Sequence, residues 1–119
     1  DAFPYFLGGD DELGEGYGLG YNFNYSLPPG TSYSVWSQAL DSAIAEIHNY
    51  RADALIVSLG VDTFENDPIS FFELKSADFI DYGRKIAKMK LPTLFVMEGG
   101  YAVEEIGVNT VNVLEGFES

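Results

Sequence analysis

The chain contains no cysteine and has only one histidine, His48. The absence of cysteine excludes disulfide bonds and thiolate-bound zinc, and it fits a reducing cytoplasm as the location of the protein. A single histidine excludes a metal site built from three histidines, and also a pair of histidines that share acid–base work. His48 falls near the end of a predicted helix, where we expect it to interact favourably with the helix dipole.

Basic residues are scarce, with 6 lysines and arginines against 19 aspartates and glutamates, and the net charge is −13. Such a surface repels nucleic acid, and no basic cluster is present to offset the repulsion. A solvated acidic surface is the simplest interpretation, although the same field attracts a cationic ligand at low salt. Long hydrophobic runs are also lacking, since none approaches the roughly 18 residues that a membrane helix needs. We therefore expect neither nucleic acid nor membrane as a partner.

The 119 residues are enough for one domain, and a hydrophobic content of 46% supplies material for a core. The first residue is Asp1 rather than methionine, and no signal-peptide pattern follows it. We therefore expect this chain to be a piece of a longer product.

Periodicity predicts an alternation of helices and strands. Residues 1–20 are rich in glycine and acidic residues, do not fit a calcium-binding EF-hand loop, and predict a long loop. Alternating aromatic and polar residues predict a strand over residues 21–27. Apolar residues at spacings of three and four predict helices over residues 31–50, 76–89 and about 103–114.

Two short apolar runs, residues 54–59 and 94–97, predict strands that are covered on both faces. Helices that alternate with buried strands are typical of an α/β fold with a parallel sheet. We expect a right-handed crossover between the two strands.

Two loops follow the carboxyl ends of these predicted strands, where ligands bind in open α/β sheets. Asp62 lies in the first loop, and its carboxylate could bind a metal, act as a base or cap a turn. Tyr101 follows two glycines in the second loop, and its phenol could donate a hydrogen bond to a developing oxyanion or simply pack against the loop. If the strands are neighbours, Asp62 and Tyr101 face one crevice, but these residues alone leave the alternatives open.

Four segments carry a family resemblance, and they occur in order over almost the whole chain: FPYFLGGDDELGEGYG from residue 3, GTSYSVW from residue 30, SLGVDTFENDPISFF from residue 58 and MEGGYAVEEIGVNTVNVLEGF from residue 97. Together they resemble the histone deacetylase superfamily, and they are especially similar to its acetylpolyamine amidohydrolases. A single Gly-Gly-Tyr would be a weak signal, whereas several ordered motifs at matching spacings are a strong one.

The resemblance implies a role for five residues of this sequence. Asp62 matches a carboxylate ligand of the catalytic Zn²⁺, and Tyr101 matches the tyrosine that polarises the acetyl carbonyl and stabilises the oxyanion. Phe3 matches an aromatic residue of the substrate tunnel. Gly99 and Gly100 match the glycines that border this tunnel and shape the turn before Tyr101.

The reaction implied by the resemblance is hydrolysis of an N-acetyl amide, in which zinc binds the carbonyl and lowers the pKa of the attacking water. The implied substrate is a small cationic acetylated amine, such as an acetylpolyamine. The family's other two zinc ligands, its histidine pair and its monovalent-cation ligands have no counterpart here and are expected upstream. The isolated chain is therefore expected to be inactive.

The implied fold is a three-layer α/β/α arrangement of the arginase and deacetylase type. Residues 1–119 would form the C-terminal part of a single deacetylase domain and the C-terminal portion of a larger sheet. Two other functions stay open: a non-catalytic α/β module that binds a partner subunit through its unfinished sheet edge, and a deacetylase of acetyl-lysine proteins. The sequence also leaves open whether the protein forms a homo-oligomer.

Overall fold

A computed structural model of the chain describes residues 4–119. A short 3-10 turn at Gly16–Gly18 precedes five regular elements, which are α1 (Tyr33–Tyr50), β1 (Leu55–Leu59), α2 (Ser76–Ala87), β2 (Thr93–Met97) and α3 (Ile106–Glu118). This alternation confirms the α/β class that periodicity predicts. No helix in the described part of the chain is both long and apolar enough to cross a membrane.

The two strands are hydrogen-bonded neighbours that run parallel, with Leu55 opposite Thr93 and Leu59 opposite Met97. Helix α2 lies in the connection between them, because parallel strands need a long crossover. Both strands therefore end at the same edge of the sheet, which brings the loops after β1 and β2 together.

Helix α2 presents its apolar face to the core through Phe79, Tyr82 and Ile86, which are all buried. Its first turn is closed by the Asp78 carboxylate, which accepts a hydrogen bond from the Lys75 backbone N–H at 2.7 Å. That bond satisfies one of the N–H groups that every helix start leaves free.

Helices α2 and α3 pack closely because each has a glycine at the contact. A Cβ on Gly83 would lie 2.2 Å from the Val113 carbonyl oxygen, and one on Gly116 would lie 2.0 Å from the Ile80 carbonyl oxygen. Real Cβ atoms do not approach backbone oxygens so closely. The separation of the two helices therefore depends on both glycines.

The core lies on one face of the sheet, where Val57 and Phe95 pack against the helices. On the opposite face Ile56 is 70% exposed and Leu94 is 58% exposed. The prediction that both strands are covered on both faces is thus wrong for residues 4–119, because these residues place helices against one face only. A nearly continuous apolar run therefore does not by itself show that both faces of a strand are covered.

The predicted strand over residues 21–27 is absent from the structure, where this segment is irregular. Asn24 Nδ2 donates to the Gly9 carbonyl at 2.9 Å, and the Ser26 backbone N–H donates to Asp10 Oδ1 at 2.9 Å. The polar positions therefore bond to the glycine-rich loop. The strand prediction is therefore wrong for this segment, whose backbone pairs with no strand among residues 4–119.

Candidate active site

The loops after β1 and β2 meet at the carboxyl edge of the sheet, as the sequence predicts. The pairing continues one bond beyond the strands, because the Glu98 N–H donates to the Leu59 carbonyl at 3.0 Å. Beyond that bond, Gly99 lies against the side chain of Asp62, since a Cβ on Gly99 would be 2.9 Å from Asp62 Oδ2. Gly99, two residues before Tyr101, therefore lies directly beside the Asp62 carboxylate.

Asp62 is partly buried and lies at the wall of a cavity of about 390 Å³, called the Asp62 cavity below. Burial raises the pKa of the Asp62 carboxyl, and the negative charge of Asp67 raises it further, while its own backbone N–H partly offsets both effects. A carboxylate held in such surroundings gains most from a nearby cation. A cation beside Asp62 would offset the effect of burial on this carboxylate.

The other residues that line the Asp62 cavity are mainly apolar: Leu27, Pro29, Ile69, Ser70, Phe71 and Phe72. Sequence reasoning did not select any of them. The available signal was the run of apolar residues after Pro68, in a stretch that is neither helix nor strand. Ile69 and Phe71 are both 60% exposed and lie close together in the chain, and contiguous apolar surface of this kind is found where a ligand or another segment binds.

Asp67 joins the two loops and was also missed by the sequence analysis. It is buried, and its Oδ2 accepts a hydrogen bond from the Tyr101 backbone N–H at 2.7 Å. Its Oδ1 accepts from the backbone N–H groups of Ile69 at 3.0 Å and Ser70 at 3.2 Å. An aspartate before a proline often caps a turn in this way, which was the signal available in the sequence.

The turn before Tyr101 uses two glycines with positive φ, +57° at Gly99 and +86° at Gly100. Glycine adopts these angles without steric cost, whereas other residues do not. Space is also restricted, because a Cβ on Gly100 would lie 2.7 Å from Val61 Cγ2. Tyr101 leaves this turn with 48% of its surface exposed.

The described residues supply one oxygen ligand for zinc rather than a complete site. Within residues 4–119, no three histidine, cysteine, aspartate or glutamate side chains lie close enough together to hold a metal ion. Asp62 carries a carboxylate of the kind that zinc accepts. His48 lies on the last turn of α1, ahead of β1, whereas Asp62 follows β1. Phe3 lies outside the residues that the structure describes.

Comparison with known proteins gives one consistent family. The profile described as "Histone deacetylase domain" matches residues 1–117. Acetylpolyamine amidohydrolase 2 of Pseudomonas aeruginosa is 65% identical over 116 residues, and the acetylpolyamine amidohydrolase of Mycoplana ramosa is 55% identical over 116 residues. Each alignment covers 98% of this chain but 34% of the relative.

The fold comparison agrees. The crystal structure of acetylpolyamine aminohydrolase from Burkholderia pseudomallei superimposes with a TM-score of 0.96 at 37% identity, covering 99% of this chain and 34% of that protein. The chain thus spans about a third of the length of the relatives that it matches. Because the domain profile covers nearly every residue and the fold agrees, the chain belongs to the histone deacetylase family.

Proposed function

We propose that this chain is the C-terminal part of a single zinc-dependent deacetylase domain, which removes acetyl groups from acetylpolyamines or similar N-acetyl amines. One observation carries the proposal: the Asp62 carboxylate contacts the glycine turn that leads to Tyr101, at the carboxyl edge of two parallel strands. The similarity to acetylpolyamine amidohydrolases supports the substrate class.

In this proposal Asp62 is one zinc ligand, and the remaining ligands belong to the rest of the polypeptide. When bound, zinc polarises the acetyl carbonyl and increases the acidity of the attacking water. Tyr101 donates a hydrogen bond from its phenol to the carbonyl oxygen as that oxygen gains negative charge. Its exposed side chain and its fixed backbone suit this role, since the donor has to be in position before the charge develops.

The net charge of the chain and the apolar walls of the Asp62 cavity support an acetylated polyamine as the substrate. A net charge of −13 attracts a cationic amine at low salt. Ile69, Phe71 and Phe72 give the Asp62 cavity apolar walls that can contact the methylene chain of a polyamine and exclude water from the amide. We propose that the isolated chain is inactive, because one carboxylate does not hold zinc tightly.

The test uses the complete polypeptide that carries this chain, loaded with zinc, and measures the release of acetate from N-acetylputrescine. We expect activity that a chelator removes and zinc restores. Tyr101→Phe should lower kcat by about 100-fold or more, as loss of an oxyanion donor does elsewhere. Asp62→Asn should lower the bound zinc per protein. Tyr17→Phe, at a tyrosine that is fully exposed in residues 4–119, is the matched control and should keep the wild-type kcat.

Two outcomes would contradict the proposal. One is a complete polypeptide that releases no acetate from N-acetylputrescine in the presence of zinc. The other is Tyr101→Phe with the same kcat as Tyr17→Phe. Turnover of an acetyl-lysine peptide, measured beside that of N-acetylputrescine, decides whether acetylated protein is the preferred substrate.

The uncovered sheet face supports a second candidate function, that of a module which binds a partner subunit. Ile56 and Leu94 are exposed there, and apolar patches of this kind are commonly covered by another segment or another chain. Sedimentation of the purified chain tests this candidate. A stable monomer that neither self-associates nor binds a second polypeptide counts against it.

A further inference from the structure

We propose that Asp67 is a positioning residue for Tyr101, which fixes the backbone from which the catalytic phenol projects. This inference rests on the proposed function, because it assigns a device to the same site. Asp67 is buried and both of its carboxylate oxygens accept backbone N–H groups, so it does not present a free oxygen to a substrate. It acts instead through the hydrogen bond from the Tyr101 backbone N–H to its Oδ2.

The carboxylate of Asp67 is itself held in one orientation. Its Oδ1 accepts the N–H groups of Ile69 and Ser70, so that its other oxygen is directed at Tyr101. Three N–H donors thus surround a side chain that is only 7% exposed. Asp67 has no ion-pair partner among residues 4–119, where the single ion pair joins Lys85 to Asp41. The charge of Asp67 is therefore balanced by the dipoles of the backbone N–H groups. A buried charge with this many directed donors is rigidly placed.

The turn that Asp67 holds has little rigidity of its own. Gly99 and Gly100 both have positive φ, and glycine has more accessible backbone conformations than any other residue. The hydrogen bond from the Tyr101 N–H, directly after Gly100, to Asp67 selects one of these conformations. The bond also spans 34 positions of the chain, so it ties the Tyr101 loop to the loop that carries Asp62.

The substitution Asp67→Asn tests the hydrogen bond to Tyr101 alone, because it removes that bond and keeps the others that Asp67 makes. Its single carbonyl oxygen can accept from Ile69 and Ser70 together, as Oδ1 does now. Its amide group then faces the Tyr101 N–H and cannot accept from it, because an NH₂ group is only a donor. The local turn after Asp67 is therefore kept, while the link to Tyr101 is lost. Glu65→Gln removes the same charge from an exposed position in the same loop and is the matched control.

Steady-state kinetics of the complete, zinc-loaded polypeptide with N-acetylputrescine give the first test. Asp67→Asn should lower kcat by about 100-fold with a much smaller change in KM, the effect expected of a small misplacement of a catalytic group. Zinc content should stay at the wild-type level, and Glu65→Gln should keep the wild-type kcat. In the Tyr101→Phe background, Asp67→Asn should lower kcat by less than about 3-fold, because residues that act as a unit are not additive.

Amide hydrogen exchange provides a readout that does not need activity. Asp67→Asn should speed exchange at the Tyr101 amide by about 10-fold or more, while the Ile69 and Ser70 amides keep their protection. Unchanged exchange at Tyr101 overturns the inference whether or not the enzyme is active. An Asp67→Asn enzyme with wild-type kcat also overturns it. The same holds if Asp67→Asn lowers kcat by the same factor in the Tyr101→Phe background as in the wild-type enzyme. A wild-type protein without deacetylase activity contradicts the proposed function instead.

Discussion

Single residues decide the geometry of this site because they set backbone positions as well as supplying chemistry. Asp62 and Tyr101 carry the proposed chemistry, yet Gly99, Gly100 and Asp67 determine where those side chains lie. The glycines allow the turn, and the buried carboxylate selects one conformation of it. Activity should therefore be sensitive to residues that never touch the substrate.

Gly100→Ala tests the turn directly. The substitution adds a Cβ at φ +86°, and that atom would lie 2.7 Å from Val61 Cγ2. We expect kcat of the complete polypeptide to fall by about 10-fold or more, because strain and contact both shift Tyr101. Steady-state kinetics check this, with Gly18→Ala as the control, since a Cβ there meets nothing within 4 Å. Equal kcat in the two variants would show that the turn tolerates a side chain.

Tyr33 gives a prediction about pH. Its phenol donates a hydrogen bond to Asp81, and burial, followed by that bond and the charge of Asp81, raises the pKa of Tyr33 well above 10. The folded state therefore keeps the proton while the unfolded state loses it near pH 10. The stabilisation is complete below pH 10 and is lost as the pH rises above it.

Tyr33→Phe removes that hydrogen bond, so it should lower the free energy of unfolding at pH 7 by about 1 kcal/mol. It should also weaken the fall in stability between pH 9 and pH 11. Urea unfolding of the complete polypeptide at several pH values checks both expectations. Tyr17→Phe, at an exposed position, serves as the control at pH 7. A Tyr33→Phe protein with an unchanged pH profile would contradict this account.

At the scale of elements, helices α2 and α3 approach each other closely through two glycines. Gly83→Ala and Gly116→Ala place a Cβ 2.2 Å and 2.0 Å from carbonyl oxygens of the facing helix. Each should lower the free energy of unfolding by about 3 kcal/mol, because two helix backbones have to move apart.

The control for this contact is Gly107→Ala, which lies in α3 where a Cβ meets nothing within 4 Å. It should leave stability unchanged or raise it by up to about 1 kcal/mol through helix propensity. Thermal or urea unfolding of the three variants measures the difference. If Gly107→Ala is as destabilising as Gly83→Ala, the cost does not come from the contact between the helices.

At the scale of the whole molecule, the sheet has one covered face and one open face. Ile56, Leu94 and Val96 form part of the open face, and all three are exposed in residues 4–119. The relatives are about three times as long as the aligned segment, since it covers 34% of their length. We expect the rest of the polypeptide to cover this face.

A double substitution on the open face should have opposite effects in two forms of the protein. In the isolated chain, Ile56→Lys with Leu94→Lys should reduce binding of a hydrophobic dye and self-association, because it removes exposed apolar surface. In the complete polypeptide it should lower the free energy of unfolding by several kcal/mol, at about 2 kcal/mol for each buried apolar side chain lost. Ala77→Lys, at an exposed position on α2, is the control. A complete polypeptide that tolerates the double substitution would show that this face stays open.

The sequence alone determined what depends on short-range pattern. The helices around Trp36, Phe79 and Val113 and the two short strands follow from the spacing of apolar residues, which is a local property. The positions of Asp62 and Tyr101 after parallel strands follow from the same elements. The family resemblance also rests on ordered local motifs, and the domain match confirms it.

Tertiary structure decided which distant groups meet. The bond between Asp67 and Tyr101, the contact of Gly99 with the Asp62 carboxylate and the burial that raises the pKa of Asp62 all join segments far apart in the chain. The segment 21–27 alternates like a strand but finds no strand partner among residues 4–119, and β1 is covered on one face only. Periodicity reports the preference of a segment, whereas hydrogen-bond partners and buried faces depend on what the folded chain places beside it.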